Sequence, residues 1–314
     1  MTAATIAGIG TAVPDARLTN AQLEARLDTS DEWIVARTGI HERRVAAPSE
    51  TSASLAVAAS AAAIKDAGLV PDDVSLLVLA TTTPDQALPQ TSALVHEGLG
   101  LRCGAFDVGA ACAGFVHALV VGATLLDAGD LDAVVVAGAE TLTRIVDPDD
   151  RDTVPLFGDG AAAVVLRPAA PGYGLQAWDL GCDGSASGIL AIPPGRQFIQ
   201  MEGQEVFRRA VRAVISSADN ALRAAGCAPA DVDLFVPHQA NIRIINLAAQ
   251  RLGIAGAHTM VNVGRYGNTS AASVPLALAE AVDEGRVHDG DLVLLSGFGA
   301  GMAWASAVMR WGGV

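Results

Sequence analysis

Cys112, His238 and Asn268 are the residues whose types and settings favour chemistry. Cys112 lies in FDVGAACAGF (residues 106–115), where a predicted strand gives way to a predicted helix. A cysteine in the first turn of a helix faces unpaired N–H groups and the positive end of the dipole, which favours the thiolate. His238 follows a predicted strand in VPHQAN, and Asn268 lies in the glycine-containing loop GRYGNTSA. A thiol, an imidazole and a carboxamide at one site can perform nucleophilic acyl chemistry.

Each of these residues also has an ordinary structural interpretation. Cys112 is equally compatible with a small buried apolar side chain, and Asn268 with a helix N-cap, which asparagine favours. His117 lies on the apolar helix after Cys112 and is interpreted as a packed residue. The other three cysteines lack the setting of Cys112 and are interpreted as structural; they are Cys103, Cys182 and Cys227.

An internal repeat favours one shared site over separate structural roles. Residues 63–78 and 221–236 match at an offset of 158, each giving a helix, a glycine stop, a proline-containing turn and a buried strand. Two shorter echoes pair residues 107–109 with 262–264 and residues 129–131 with 290–292. A pseudo-twofold axis would bring the Cys112 segment, the Asn268 segment and the strand end carrying His238 towards one centre.

The repeat also predicts the fold that must position these groups. Each half gives the order β-α-β-α-β-α-β-β, and its continuous apolar runs are typical of sheets covered on both faces. These runs are Leu76–Ala80, Val134–Ala137, Ala161–Leu166 and Leu292–Leu295. We therefore expect an α/β five-layer α/β/α/β/α sandwich of two duplicated halves. The boundary near residues 168–174 gives 1–170 with the cysteine and 171–314 with the histidine and asparagine.

Composition excludes several classes of protein. The 314 residues are 51% hydrophobic and 17% charged, unlike a disordered chain, and the net charge of −14 argues against nucleic acid or an anionic membrane as partner. The cysteines lack metal-ligand spacing, so no metal site is expected. The N-terminus has no basic region before its apolar stretch. We expect no run of roughly 18 apolar residues in the chain, and therefore no membrane-spanning segment. A cytoplasmic location is predicted. The GFGAG run (297–301) precedes only 13 residues, too few for a dinucleotide-binding unit.

Taken together, the motifs resemble those of the β-ketoacyl-acyl-carrier-protein synthase III family, condensing enzymes of the thiolase superfamily. The resemblance covers the full length of the chain. Its most specific pieces are residues 29–34 (TSDEWI), 37–40 (RTGI), 106–115, 147–151 (DPDDR), 157–160 (FGDG), 237–241 (PHQAN) and 265–272 (RYGNTSAA). It implies a thiolase-like sandwich and a homodimer.

The resemblance also implies a reaction. Cys112 would take the acyl group of an acyl-CoA primer as a thioester. His238 and Asn268 would stabilise the enolate left when malonyl-acyl-carrier protein loses CO2, and its attack would give a 3-oxoacyl-carrier protein. The backbone N–H groups of Cys112 and Ala300 would form the oxyanion hole; Ala300 stands where the family usually has glycine, which leaves the N–H in place. Acyl-CoA is a substrate, and no resident cofactor or metal is implied.

Positions for coenzyme A and the acyl chain carry over in the same way. Trp33 and Arg151 resemble the pair that sandwiches adenine, Arg37 resembles a diphosphate contact, and the pantetheine tunnel and entrance are matched by Phe207, Asn241 and Arg243. The acyl pocket is matched by Phe298 and by Leu88, which would cap it from across the dimer. Leucine replaces a common bulky aromatic at that cap, so primers longer than acetyl are expected to fit.

Docking of a carrier protein poses an electrostatic problem, because carrier proteins are acidic and this chain carries −14. A locally basic face would resolve it. We expect that patch at Arg208, Arg209, Arg212, Arg243 and Arg251.

Several residues discriminate between this reaction and other functions within and beyond the family. A starter-unit synthase or acyltransferase of a polyketide pathway stays open as the alternative, although Asn268 favours condensation over acyl transfer alone. A degradative thiolase would need a second late cysteine, and none follows Cys227. A non-catalytic partner subunit is expected to lack the nucleophile, whereas Cys112 is present.

Overall fold

Two mixed sheets and the helices around them follow the apolar runs of the sequence. The computed structural model describes residues 3–129 and 131–314. The strands are β1 (Ala4–Ala12), β2 (Arg17–Thr19), β3 (Glu42–Arg44), β4 (Leu76–Ala80), β5 (Gly104–Val108), β6 (Val134–Thr141), β7 (Asp159–Pro168), β8 (Gly174–Cys182), β9 (Leu190–Ala191), β10 (Gln200–Met201), β11 (Leu234–Pro237), β12 (Leu292–Gly299) and β13 (Ala303–Arg310). The α-helices are α1 (Asn20–Glu24), α2 (Asp31–Thr38), α3 (Ser52–Asp66), α4 (Thr91–Leu99), α5 (Gly114–Ala128), α6 (Gly203–Ala224), α7 (Ile242–Leu252), α8 (Val263–Tyr266) and α9 (Ser273–Asp283).

The first sheet has the strand order β1-β7-β6-β4-β5. Strand β4 pairs in parallel with β5 and β6, whereas β7 is antiparallel to β6 and β1. Strands β6 and β7 are buried over almost their whole length, as continuous apolar strands between two helical layers must be. Strand β5 is an edge strand and is only partly buried.

The second sheet repeats this arrangement with one strand fewer. Its order is β11-β12-β13-β8, with β11 parallel to β12 and β13 antiparallel to both neighbours. Where the first sheet has β5, the second has only an isolated bridge between Phe235 and Thr259. The expected order β-α-β-α-β-α-β-β was therefore wrong for the second half.

The strongest echo of the repeat is confirmed in three dimensions. Gly68 and Gly226 end α3 and α6 with φ of +69° and +70°, a conformation that glycine adopts without strain. A short 3-10 turn at 71–73 or 229–231 then leads into β4 or β11. The second echo was wrong, because residues 107 and 108 end strand β5 whereas residues 263 and 264 begin helix α8. The third includes Asp130, which lies outside the described residues.

Five layers result, which confirms the predicted sandwich. Helices α5 and α9 pack between the two sheets in one apolar core. Helices α3 and α4 cover the outer face of the first sheet, and α6 and α7 cover that of the second. The division into 1–170 and 171–314 stays a prediction; the strands of the first sheet end at Pro168 and those of the second begin at Gly174.

One sequence expectation about membranes needs correction. The segment Ala111–Ala128 is long and apolar enough to cross a membrane by composition alone. In the fold it is mostly buried and includes α5, the helix between the sheets, so its apolar character is that of a core helix.

Candidate active site

Cys112 lies on a tight 3-10 turn, Ala111–Ala113, between β5 and α5. Ala111 has φ of +46°, a left-handed conformation that residues other than glycine adopt rarely. The end of β12 presses against this turn: a Cβ at Gly299 would lie 2.5 Å from the Cys112 nitrogen. The turn thus places the thiol beside the carboxyl end of a strand from the other half, and Cys112 is only 9% exposed.

Burial acts against the thiolate form that a helix start favours at Cys112. Burial raises the pKa of Cys112 to about 12. The nearby Ser270 hydroxyl acts to lower that pKa, and the negative charge of Glu140 acts to raise it further. Loss of solvation is the largest of these contributions. Burial therefore opposes ionisation of the Cys112 thiol in the absence of substrate.

His238 directly follows β11 and is held in a neutral state. Burial lowers its pKa to about 3, well below the ordinary 6.5. Its Nδ1 lies 2.5 Å from the Ser273 hydroxyl oxygen, which also accepts the Gln239 N–H at 3.3 Å. A Ser273 hydroxyl that donates to Nδ1 leaves the ring proton on Nε2. That Nε2 has no hydrogen-bond partner among the described residues, and the Phe298 ring meets the imidazole edge-on with centroids 5.1 Å apart.

Asn268 both caps a turn and retains free donors. Its backbone N–H donates to the Leu156 carbonyl at 2.7 Å and its carbonyl accepts from Gly158 N at 3.0 Å. The side-chain oxygen accepts the Ser270 N–H at 2.8 Å. The capping interpretation therefore applies to the carbonyl side of the carboxamide. Its NH2 group remains available as a donor.

The three groups line one cavity of about 520 Å³, which has Cys112, His238 and Asn268 in its wall. A second, mostly apolar chamber of about 260 Å³ also opens onto Cys112. It is lined by Thr82, Ala111, Leu142, Ile145, Phe157, Leu190, Ala191, Ile192, Ile199, Ser270 and Ala300. The thiol is thus the junction of the two spaces.

The two residues assigned to the acyl pocket lie elsewhere in this chain. Phe298 lines the larger cavity beside His238, and so contacts the imidazole instead of the apolar chamber. Leu88 is 79% exposed on the loop before α4 and lines neither space. Its assignment to the chamber holds only in an assembly in which a partner subunit's loop reaches that chamber.

Four of the residues assigned to coenzyme A surround the mouth of the larger cavity: Arg37, Phe207, Asn241 and Arg243. The Asn241 amide donates to the Arg37 carbonyl at 2.9 Å and its oxygen caps α7 by accepting the Arg243 N–H at 2.8 Å. Arg243 lies over the Phe207 ring, 5.3 Å from its centroid. This contact ties α6 to α7 at the entrance.

Trp33 is covered by two guanidinium groups. Those of Arg37 and Arg151 lie 4.4 and 5.1 Å from its ring centroid. Arg151 also pairs with the exposed carboxylate of Asp28 at 3.0 Å. An adenine can enter between Trp33 and Arg151 only after the arginine swings aside.

The expected basic patch is smaller than the sequence indicated. Arg208 and Arg209 both pair with Glu205, at 2.7 and 2.6 Å, and Arg209 also pairs with Asp183 at 2.6 Å. These carboxylates offset the positive charge of that helix start. Three exposed arginines outside this cluster are Arg212, Arg243 and Arg251.

Sequence reasoning missed several polar groups beside the thiol. Glu140 is fully buried at the end of β6, and Thr82 and Ser270 line the apolar chamber. Ser273, which orients His238, was missed as well. The sequence offered two signals: Glu140 near the end of the run VVVAGAET, and the three threonines that follow β4. A charge near the end of a buried strand needs polar partners.

Comparisons with known proteins show the family of this chain. Family models described as 3-oxoacyl-[acyl-carrier-protein] synthase III and its C-terminal region match residues 106–184 and 222–311. The β-ketoacyl-[acyl-carrier-protein] synthase III of Roseiflexus sp. (strain RS-1) is 45% identical, with 98% of each chain covered. The chain belongs to the 3-oxoacyl-[acyl-carrier-protein] synthase III family.

Solved structures of synthase III proteins have the same fold. That of Thermus thermophilus is 45% identical, with a TM-score of 0.96 over 99% of this chain and 100% of the other. The priming β-ketosynthase of the R1128 polyketide pathway is 38% identical, with a TM-score of 0.93 over 99% of this chain and 96% of the other. A synthase III and a priming ketosynthase of a polyketide pathway therefore share this architecture.

Proposed function

We propose that this chain joins an acyl-CoA primer to malonyl-acyl-carrier protein, with loss of CO2, to give a 3-oxoacyl-carrier protein and so initiate fatty-acid synthesis. One observation carries the proposal: Cys112, His238 and Asn268 line one cavity, and a separate apolar chamber meets it at the thiol. A nucleophile, two donors and a space for a chain are the parts that this condensation requires.

Acylation is the first step. The Cys112 sulfur attacks the primer carbonyl while the pantetheine arm lies in the larger cavity, between Phe207 and Asn241 at its mouth. The N–H groups of Cys112 and Ala300 hold the oxyanion. The thiol of coenzyme A leaves, and the acyl chain occupies the apolar chamber.

Decarboxylation follows when malonyl-carrier protein replaces coenzyme A. His238, neutral through the physiological range, donates from Nε2 to the malonyl thioester oxygen, and Asn268 donates from its NH2 group. Two neutral donors stabilise the enolate as CO2 departs, each lowering the barrier by about 3–4 kcal/mol. The enolate carbon then attacks the acyl-Cys112 thioester, and the thiolate leaves.

A homodimer completes the acyl chamber in this proposal. Strand β5 is an edge strand with Phe106 only partly buried, and Leu88 is an exposed leucine on the nearby loop before α4. An open strand edge with apolar neighbours favours pairing with a second copy. Sedimentation of the purified chain is expected to give twice the monomer mass, and a monomer at micromolar concentration would contradict this assembly.

Carrier-protein docking is proposed at Arg212, Arg243 and Arg251, with a smaller role for the paired Arg208 and Arg209. Charge reversal at Arg251 is expected to raise the Michaelis constant for malonyl-carrier protein and to spare acylation by acyl-CoA. Arg209→Glu is the matched comparison, with a smaller effect on the same constant. Equal damage to both steps by Arg251→Glu would refute the docking site.

The remaining parts of the proposal concern the setting of the reaction. The chain acts in the cytoplasm, with neither nucleic acid nor membrane as partner, and uses acyl-CoA as a substrate without a resident cofactor. Its acidic net charge of −14 supports the exclusion of polyanionic partners.

Priming of a polyketide pathway is the second candidate, because the R1128 priming ketosynthase is similar over 99% of this chain. Both candidates use the same cavity and differ in primer and carrier protein. Leucine at position 88 supports primers longer than acetyl.

Intact-protein mass spectrometry tests the proposal directly. The wild type is exposed to acyl-CoAs of two to ten carbons, straight and branched, beside Cys112→Ala. A mass increase of one acyl group in the wild type and none in the variant is expected, and the order of rates reports the primer. Acylation that persists in Cys112→Ala would refute the assignment of the nucleophile.

A further inference from the structure

Gln239 is a buried amide, 1% exposed, whose four side-chain hydrogen bonds all go to the backbone. Its Nε2 donates to the Pro237 carbonyl at 2.7 Å and to the Met260 carbonyl at 3.2 Å. Its Oε1 accepts the Asn262 N–H at 2.9 Å and the Val263 N–H at 3.2 Å. Two carbonyls at one end and two N–H groups at the other use the full capacity of the carboxamide, so it is held in one orientation.

The oxygen of this amide caps helix α8. The first N–H groups of a helix have no partner within it and need an acceptor from elsewhere. Asn262, the N-cap residue, makes no side-chain hydrogen bond to the helix start, because its amide donates to Glu280 at 2.8 Å. Gln239, which precedes Val263 by 24 residues in the chain, supplies the acceptor instead.

Helix α8 in turn leads the chain to Asn268. The Val263 carbonyl accepts the Gly267 N–H at 2.9 Å, which closes the helix. Gly267 has φ of +67°, and a Cβ there would lie 2.9 Å from the Leu156 carbonyl oxygen, so the bend fits glycine. A continuous path of hydrogen bonds and one peptide bond therefore runs from Gln239 through Val263 and Gly267 to Asn268.

The nitrogen of the same amide lies at the His238 end of the site. It is bonded to the Pro237 carbonyl, which belongs to the peptide group of His238. The Gln239 N–H also donates at 3.3 Å to the Ser273 hydroxyl oxygen, which lies 2.5 Å from His238 Nδ1. His238 has a further anchor in its own N–H, which donates to the Ser296 carbonyl at 2.7 Å. Loss of the Gln239 amide is therefore expected to displace α8 more than the histidine.

We propose that Gln239 is a positioning residue that sets the separation of His238 and Asn268 by joining the end of β11 to the start of α8. This inference rests on the proposed decarboxylation, in which both side chains donate to one thioester oxygen. Stabilisation of the enolate depends on that geometry. Acylation uses the N–H groups of Cys112 and Ala300, which lie on the turn after β5 and after β12, and is expected to be independent of Gln239.

Gln239→Met tests the proposal, since methionine has a similar volume and none of the four hydrogen bonds. Decarboxylation of malonyl-carrier protein, measured as CO2 release in the Cys112→Ala background, is expected to fall about 30-fold, an effect typical of small misplacements of reacting groups. The Michaelis constant is expected to change little, because the enolate forms only in the transition state. Single-turnover acylation of Gln239→Met, with the acyl-CoA that acylates the wild type fastest, is expected to stay near the wild-type rate. Parallel loss of both steps overturns the proposal.

Tyr266→Phe displaces the same helix without removing its buried cap. The Tyr266 hydroxyl donates to the Glu280 carboxylate at 2.6 Å, and Arg265 pairs with that carboxylate at 2.8 Å, so Glu280 holds the far end of α8. Loss of the hydroxyl is expected to slow decarboxylation about threefold and to spare acylation. If Gln239→Met does not fold, an unchanged rate of decarboxylation in Tyr266→Phe overturns the proposal.

A double-mutant cycle separates placement of Asn268 from a general loss of structure. In an Asn268→Ala background the carboxamide is gone, so Gln239→Met is expected to slow the remaining decarboxylation by less than about threefold. A residue that only maintained the folded fraction would lower the rate by the same factor in both backgrounds. Equal factors overturn the proposal.

Leu222→Ala is the matched control for stability. Leu222 is buried in the cluster that covers the outer face of the second sheet, and its truncation is expected to lower the melting temperature at least as much as Gln239→Met. The ratio of decarboxylation to acylation is expected to stay at the wild-type value in this variant, and an equal fall of that ratio would overturn the assignment to Gln239. Failure of the proposed function would look different, since Cys112→Ala with the native Gln239 would then release no CO2 from malonyl-carrier protein.

Discussion

The turn that carries Cys112 and the turn that carries Ser270 share one backbone design. Ala111 and Ser270 have φ of +46° and +48°, and each begins a three-residue 3-10 turn that leads into a helix between the sheets. A glycine of the other half closes on each turn: a Cβ at Gly299 would lie 2.5 Å from the Cys112 nitrogen, and one at Gly138 would lie 2.5 Å from the Ala271 carbonyl oxygen. The backbone is duplicated, whereas the chemistry depends on a few side chains.

The side chains that carry the chemistry are distributed between the two halves. Cys112 corresponds to Ala271 in the second turn, so only the first half carries a nucleophile. The offset of 158 that relates β4 to β11 places His238 opposite Ala80, so the donor to the enolate belongs to the second half. The pairing of β6 with β4 and of β12 with β11 relates the buried carboxylate Glu140 to Gly299. The comparison teaches that acylation and decarboxylation depend on separate halves of a shared cavity and can be impaired separately.

Removal of the Asn268 carboxamide is expected to have the largest effect on one step alone. Asn268→Ala loses a donor to the enolate, so decarboxylation of malonyl-carrier protein falls by about 10²–10³-fold while acylation of Cys112 stays near the wild-type rate. Gly109, its counterpart in the first turn, has open space around it, and Gly109→Ala is the matched control with both steps preserved. Loss of acylation in Asn268→Ala would contradict the assignment of acylation and decarboxylation to separate halves.

Gly299 and Gly138 each contact a turn of the opposite half, so substituting them separately gives a crossed experiment with the next largest effect. Gly299→Ala displaces the Cys112 turn and is expected to reduce acylation about 100-fold, because small misplacements of reacting groups have effects of that size. Gly138→Ala displaces the Ser270 turn and is expected to reduce decarboxylation more than direct alkylation of Cys112 by iodoacetamide. Rates for both steps, with melting temperatures, report the pattern. The same profile in both variants would contradict the comparison.

Ser273→Ala is expected to have a smaller effect on decarboxylation, because Ser273 only orients the His238 ring. Loss of the hydrogen bond at Nδ1 leaves the ring free to take the other tautomer, at a cost of about 1 kcal/mol or roughly fivefold in decarboxylation. Ser273→Thr keeps the hydroxyl and is expected to retain most of the rate. A larger loss in Ser273→Thr than in Ser273→Ala would remove the hydroxyl from this role.

Acidification is expected to leave decarboxylation unchanged. The folded pKa of His238 is about 3, so the ring stays neutral from pH 8 to pH 5, where an ordinary histidine would gain its proton. Its contribution to folding has the matching sign: it is complete above pH 6.5 and is lost as the pH falls towards 3, because the unfolded state binds the proton first. Rates measured in Cys112→Ala check this, and an inflection near pH 6.5 would contradict it.

The sequence predicted the layers and the shared cavity because both depend on local patterns. Continuous apolar runs specify buried strands, and His238 could be chosen because polar residues after such strands lie at one sheet edge. Asn268 could be chosen because its segment corresponds in the repeat to the segment of Cys112. The weaker echo at residues 262–264 failed because the true counterpart of the Cys112 turn lies at residues 270–272. Short matches of small residues do not determine register.

Other parts of the site depend on contacts between distant segments and could not be predicted. The depth of Cys112, which raises the pKa of its thiol, comes from β12 and the Ser270 turn. The charge of Arg209 is offset in part by Asp183, 26 residues away in the chain. The burial of Glu140 could not be predicted, because the threonines that donate to its carboxylate come from the distant segment after β4.

Complementation between two inactive variants tests most directly whether one cavity holds both sets of groups. Cys112→Ala lacks the nucleophile and Asn268→Ala lacks a donor to the enolate; each is mixed with an acyl-CoA and malonyl-carrier protein, separately and together, and 3-oxoacyl-carrier protein is measured by mass spectrometry. The mixture is expected to form product only at the summed rates of the separate variants, because the acyl thioester and the enolate must meet within a single chain. A mixture that approaches half the wild-type rate would show that the two steps use separate sites, contrary to the account.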